Sequence, residues 1–386
     1  MILIQNAKIM PMAGRDIAKG DILINDEGKI EAIGRGLDAP EDVEVVDASN
    51  LLALPGFVDG HCHLGMFEDG MAFEGDDGNE ATDPVTPQLR AIDAVNPYDY
   101  TFEEARQSGV TTVVTGPGSA NPIGGQFIAI KTAGRTVDEM VIRAPHSLKA
   151  ALGENPKRVY NALQKTPMTR MATAALMRET FVQAQEYADK MKSDDPEKRP
   201  ERDLKMEIVT QVLSREIPMK FHAHRADDIV TAIRLAQEFN IRYSIEHATE
   251  GYLVTDILKE SGAKILLGPL ITERSKIELR NLRMEAPARL HEAGVKFSII
   301  TDHGVVPIQY LHVCAALAAR EGLPVRTALE AITIEAARIV DLEHRVGSLE
   351  AGKDADIVLW DGHPLTQYKS RVVRTYINGK CVYQRK

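Results

Sequence analysis

The chain has 386 residues, 46 of them Lys or Arg and 56 Asp or Glu, for a net charge of −10. Hydrophobic residues make up 44 % and charged residues 26 %, the mixture of a soluble globular chain long enough to bury a core without covalent staples. The acidic balance argues against the basic face of a nucleic-acid binder, and no window approaches the ~18 apolar residues of a membrane span.

The first 55 residues alternate short β runs with turns. Residues 1–13 have neither a basic start nor a long apolar core and read as a strand rather than a signal peptide. GDILINDEGKIEAIG follows as a hairpin pattern with Asp26-Glu27-Gly28 at its turn. The C-terminus returns to this texture at 346–349, 355–360 and 372–383, where Asn378-Gly379 predicts a hairpin turn. Neither end holds enough strands for a stable sheet alone. Residues 1–55 and 346–386 are therefore expected to form one small β-sandwich domain.

Residues 56–345 alternate apolar strands with helical patterns. Strands are expected at 56–60, 111–115, 126–130, 148–152, 219–222, 243–246, 264–267 and 296–301, and helices at 102–108, 227–239, 254–261 and 281–293. Such alternation predicts an α/β fold with a parallel sheet, and eight units predict a (β/α)8 TIM-type barrel. Two insertions interrupt it. Residues 68–99 are acidic and rich in Gly and Pro, suiting either a solvated loop or an active-site cover. Residues 166–217 read as a surface helical hairpin, with Met168, Met171 and Met177 as packing on a helix face. Cys62, Cys314 and Cys381 are too few and too scattered for a disulfide framework or a zinc finger, and they fit a reducing, cytoplasmic compartment.

In PGFVDGHCHLG, His61 and His63 stand at i and i+2. On a strand both side chains point to one side, where two imidazoles can hold one divalent metal. Cys62 between them faces the other way, into packing. An HxH pair alone also occurs at ordinary strand ends. Here more histidines follow at later strand ends: His222 and His224 in MKFHAH, His247 in YSIEHA, and Asp302 and His303 after FSIIT. A TIM barrel brings the C-terminal ends of its strands to one pocket, so this ring predicts a metal site.

These segments, in this order, make the chain resemble the amidohydrolase superfamily of metal-dependent hydrolases. The matching pieces are PGFVDGHCH, FHAH, IEHA, ITDHG and the tail GSLEAGKDADIVLWDG with YINGKCVY. LKAALGENPKR is similar to the imidazolonepropionase-related members. The resemblance covers all but 68–99 and 166–217. It implies that His61 and His63 bind the more buried metal, that His222 and His247 bind a second or sole metal, and that Asp302 is the catalytic acid/base. It also implies a Lys or Glu ligand from the fourth strand. Glu154 is favoured, because a carboxylate binds metal unmodified; a carboxylated Lys149 is the alternative. The pattern places the ligand at His222, which leaves His224 and Arg225 for substrate. Arg225 suits a substrate carboxylate and equally a surface charge. Gln126, with Asn121 in the glycine-rich 116–126 loop, and His303 are further candidate substrate contacts.

The implied cofactor is one or two divalent metals per chain, zinc foremost, with manganese and iron also suited to His and carboxylate ligands. The implied activity is hydrolysis of an amide-type C–N bond in a small molecule: a cyclic amide, an N-acyl amino acid or a dipeptide. Deamination of a heterocycle is the alternative. Many deaminating members carry a Glu three residues after the fifth-strand His, where this chain has Arg225. A third reading is a non-catalytic scaffold on the same fold. No nucleic acid or membrane partner is expected, and a homo-oligomer is compatible with the sequence.

Overall fold

A computed structural model describes residues 1–38 and 41–386. Its strands are β1 (Ile2–Ile9), β2 (Ile17–Ile24), β3 (Ile30–Gly34), β4 (Glu44–Asp47), β5 (Leu52–Pro55), β6 (Phe57–Cys62), β7 (Val110–Thr115), β8 (Ile123–Lys131), β9 (Val141–Ala151), β10 (Met219–Ala223), β11 (Tyr243–His247), β12 (Lys264–Leu267), β13 (Phe297–Ile299), β14 (Ile357–Trp360), β15 (Val372–Ile377) and β16 (Lys380–Gln384). No helix among the described residues is long and apolar enough to cross a membrane.

Strands β6 to β13 form one eight-stranded sheet in sequence order. β6, β7 and β8 are buried along their whole length, as expected for strands covered on both faces. Helices on the outside supply the cover: Ala226–Glu238 buries Ile229, Ala232, Ile233 and Leu235 between β10 and β11.

The all-parallel expectation fails at one strand. β8 runs antiparallel to both β7 and β9, whereas the other neighbours are parallel. The connections decide this. Only Gly116–Pro122 separate β7 from β8, and β8 reaches β9 through a segment holding a single helical turn, Val137–Met140. A parallel crossover needs a dozen or more residues. The ring then closes between its first and last strands. The Asp59 carboxylate accepts Thr301 N at 3.1 Å and Thr301 Oγ1 at 2.5 Å, and His63 N donates to His303 O at 2.7 Å.

The chain ends form a separate sheet in the order β16-β15-β14-β5-β1-β2-β3, with β4 also on β1. β1 pairs with β4 through residues 2–5 and with β5 through residues 8–9. Between them Asn6 adopts φ 65°, and irregular register bends the strand. Ile4, Ile22, Ile24, Ile30, Val46, Leu349, Ile357 and Leu359 belong to its own apolar cluster. The turns at Gly28 and Asn378-Gly379 both form, with positive φ.

A buried ion network joins the two sheets. Lys131, at the end of β8, sits 3.0 Å from Asp354 and 2.6 Å from Asp356. Asp354 also meets Lys29 and Arg345, and Asp356 accepts Asn378 N at 3.0 Å.

Neither insertion stands free. Residues 68–99 carry two short 3-10 turns, Ala72–Gly75 and Ala91–Asp93, and run beside β8. The Asn121 amide donates to Glu80 O, Asp83 O and Thr86 Oγ1. Gln126 donates its side chain to Pro87 O and its N–H to Leu89 O. Residues 166–217 form the expected helical pair with an exposed link, and it packs on the sheet rather than standing free. Helices Arg170–Met191 and Leu204–Leu213 bury Met177, Phe181, Ala184, Val209 and Val212 and belong to the outer layer between β9 and β10. Met177 packs inside as expected, while Met168 and Met171 are exposed.

Replacing Lys131 by Met strands the Asp356 carboxylate and weakens the hold on Asp354. Breaking a buried pair in this way costs roughly 3–5 kcal/mol, so a clear drop in the denaturation midpoint is expected. Burial raises the Asp354 carboxyl, but Lys131, Lys29 and Arg345 outweigh it and bring it to about 2. The folded value is therefore depressed. Its stabilisation is present above the ordinary value of 3.8 and is lost as pH falls toward about 2. Acid titration of unfolding should lose this contribution in Asp354→Asn.

Candidate metal centre

His61 on β6, Lys149 on β9, His222 on β10 and His247 on β11 end at one face of the barrel, with His63 and Asp302 just past β6 and β13. These six line a cavity of about 350 Å³. His247 and Asp302 adopt left-handed backbone, φ 72° and 55°, at a cost of about 1–3 kcal/mol each.

Two groups of donor atoms adjoin. His222, His224 and His247 offer atoms within 4.8 Å of one another, and so do His61, His247 and Asp302. Asp302 Oδ1 is 3.3 Å from Nε2 of both His61 and His63. Hydrogen bonds orient the rings. His63 Nδ1 donates to Gly116 O at 2.7 Å and His247 Nδ1 to Gly268 O at 2.8 Å. A carbonyl only accepts, so both rings carry a proton on Nδ1. His224 Nδ1 is fixed by Thr249 Oγ1 at 2.7 Å. His222 Nδ1 is buried and has no protein partner.

The titration states suit cation binding. Burial lowers His61 to about 3 and His247 to about 4, and holds His222 and His224 well below the usual imidazole value. Neutral imidazole is the form that ligates metal. Burial raises the Asp302 carboxyl, but His247, His61 and His63 together hold it well below the usual range. Burial drives the Cys62 thiol up instead, and Cys62 sits in the apolar core.

Beneath the donors lies a buried ionic cluster. Glu246 Oε2 is 2.5 Å from Lys149 Nζ and 3.5 Å from His61 Nδ1, and Glu246 Oε1 is 2.9 Å from Lys220 Nζ. Lys220 also donates to Gly60 O at 3.1 Å. Lys149 Nζ is 3.5 Å from His61 Nε2.

Four expected contacts lie elsewhere. Glu154 begins the helix Glu154–Ala162, and its Oε2 accepts Glu278 N at 3.4 Å; β9 has already ended at Ala151, so the carboxylate leaves the ring of strand ends. Arg225 forms a two-pronged pair with Asp227 at 2.9 Å, outside the cavity. Gln126 is committed to the 68–99 insertion. His303 accepts Ile308 N on Nδ1 at 3.1 Å, while its neighbours Gly304 and Val305 line the cavity.

Sequence reasoning missed Glu246, Lys220 and Glu278. Lys220 had a signal, two residues before His222 and so on the same strand face. Glu246 precedes His247 in IEHA. Glu278 lies in a 3-10 turn with no pattern to announce it, yet it is buried with Oε1 3.6 Å from His222 Nε2 and 3.7 Å from His224 Nε2. Glu246→Gln would leave two buried ammonium groups under-compensated. A loss of roughly 3–5 kcal/mol is expected in chemical denaturation, larger than that of Glu154→Gln at the partly exposed helix start.

Comparison with known proteins agrees with this architecture. An amidohydrolase from Thermotoga maritima MSB8, known as a crystal structure, is 45 % identical and superposes with a TM-score of 0.96, covering 100 % of both chains. Amidohydrolase tasK of Hapsidospora irregularis is 30 % identical over 377 residues, 90 % of this chain but only 38 % of that protein's length. The imidazolonepropionase of Fusobacterium nucleatum subsp. nucleatum is 25 % identical over 407 aligned positions, covering 96 % of this chain and 93 % of that one. Residues 52–382 match the amidohydrolase family, and the chain belongs to that family of hydrolases.

Proposed function

We propose that this chain is a metal-dependent hydrolase of amide-type C–N bonds in small molecules. The observation that carries the reading is the pair of adjoining donor sets sharing His247. His61, His63 and Asp302 would hold one divalent ion, and His222 and His247 a second, with His224 beside them. Lys149, within 3.5 Å of His61, stands where the resemblance gives a carboxylated lysine, in place of Glu154; its ammonium is paired with Glu246 here, and carboxylation would require it to leave that pair. Zinc suits the histidine-rich set. A bound divalent ion supplies Lewis acidity and a hydroxide-strength nucleophile at neutral pH.

The chain's own residues do the rest. Asp302, kept ionised by three imidazoles, takes the proton of the attacking water and returns it to the leaving nitrogen. The carbonyls of Gly116 and Gly268 keep His63 and His247 in one tautomer. Phe67 and Val305 wall the cavity and limit water. The reading includes the division into a β-sandwich unit, 1–55 and 346–386, around a TIM-type catalytic barrel, 56–345. It also includes a cytoplasmic location, and it is compatible with a homo-oligomer.

One observation favours a second reading, deamination of a heterocycle. The buried Glu278 carboxylate beside His222 and His224 supplies an acid that the position of Arg225 lacks. Ammonia release from a purine and pyrimidine panel, without hydrolysis of acyl amino acids, would favour it.

Elemental analysis of protein purified without chelator should find one or two divalent ions per chain. Lys149→Ala should lower that content and Glu154→Gln should leave it intact; the reverse would restore Glu154. Asp302→Asn should lower kcat by roughly 10²–10⁴-fold, and chelation should abolish turnover reversibly. No metal, with no gain on reconstitution, would remove the hydrolase reading.

A further inference from the structure

The cavity contains a cation that the chemistry above does not use. Lys276, on the segment after β12, lines the same space as His61, His222 and Asp302. Its ammonium group has no hydrogen bond among the described residues. It forms a loose ion pair with the buried Glu278 carboxylate at 3.8 Å, beyond hydrogen-bond contact. Its side chain is 25 % exposed, so its charge is neither buried nor shed into bulk water. The other lysine of the cavity, Lys149, is taken up by Glu246 at 2.5 Å.

The spacing defines what this cation can meet. Glu278 Oε1 is 3.6 Å from His222 Nε2 and 3.8 Å from Lys276 Nζ, so the ammonium stands within one small group of the donor ring. A substrate whose scissile carbonyl lies at the histidines can present a carboxylate to Lys276 within the same cavity. The opposite wall is apolar, with Phe67 stacked edge-on to His63 at 5.3 Å between centroids. Arg225, the cation expected from the sequence for this task, is bound to Asp227 outside.

We propose that Lys276 is the specificity residue that binds the free α-carboxylate of the substrate, so that the enzyme takes N-acyl amino acids or dipeptides with an unblocked C-terminus. The inference rests on the amide-hydrolase reading. The reaction adds water across the C–N bond: the acyl carbon gains the hydroxyl oxygen and becomes a carboxylate. The nitrogen keeps the bonding pair, takes a proton and leaves as the amine of the product amino acid, whose carboxylate stays at Lys276.

The test compares acid and amide forms of one substrate. Metal-loaded wild type, Lys276→Met and Lys276→Arg are assayed with N-acetyl-leucine and N-acetyl-leucinamide, and with Leu-Leu and its C-terminal amide. Wild type should prefer the acids by about tenfold or more in kcat/KM, as for one charge-assisted hydrogen bond. Lys276→Met should collapse that ratio, chiefly through KM, and Lys276→Arg should keep most of it. Equal rates on acid and amide by wild type, or a ratio that survives Lys276→Met, overturn the role of Lys276 and leave the hydrolase reading standing. Hydrolysis of neither form overturns that reading. Calorimetric titration with N-acetyl-leucine then judges Lys276 alone, because absent binding, or binding that Lys276→Met does not weaken, overturns its role as well.

Discussion

Glu246 holds its carboxylate out of water between two ammonium groups, and the placing of His61, His222 and His247 follows from that arrangement. Lys149 comes from β9, Lys220 from β10 and Glu246 from β11, while Lys220 also reaches the Gly60 carbonyl in β6. Four strands are thus pinned one layer below the cavity. His61 follows Gly60, His222 lies two residues beyond Lys220, and His247 follows Glu246. A buried ion network of this kind is a weak source of net stability compared with apolar packing. Its value here is positional, since a set of donors is useful only when their spacing is held within fractions of an ångström. The Phe127 ring, stacked on His61 at 5.2 Å and lying 5.3 Å from Lys220, closes the cluster from the β8 side.

β8 contributes no donor, and its reversed direction separates two tasks. The strands that carry the donor side chains run parallel and deliver them to one rim. The reversed strand offers its length to the 68–99 insertion through Asn121 and Gln126, and that insertion supplies Phe67's neighbourhood and Asn79 to the cavity wall. The far end of β8 carries Lys131 into the aspartates of the KDAD segment. One strand therefore ties the cavity wall to the terminal sheet, and it meets the donor cluster only through the Phe127 ring.

Much of the site was legible in the sequence because strand periodicity and position are local. The spacing of His61 and His63, the strand-end placing of His222 and His247, and the Asp after FSIIT each need only a strand and its end. The terminal sheet was legible because Asn378-Gly379 and Asp26-Glu27-Gly28 demand turns. What was not legible depends on where a chain goes after its strand stops. Glu154 and Arg225 were placed by nearness in sequence to a ligand strand, yet a helix start carries each away. The direction of β8 was legible in hindsight from its short connections, which leave no room for a crossover helix. Glu278 and Lys276 come from a segment with no periodicity, and only the folded chain shows that they return to the cavity.

The seam of the barrel lies between β6 and β13, where Asp59 meets Thr301 across 242 positions of chain. The entropy of closing so long a loop grows only as the logarithm of its length, but the contact is the least local in the ring and gains nothing from its neighbours in sequence. His61 and His63 stand on one lip of that seam and Asp302 on the other. An intermediate with every strand formed and the seam still open possesses His222 and His247 but lacks a complete first donor set. Ring closure and assembly of that set are the same event, whereas the group of His222, His224 and His247 needs only β10 and β11.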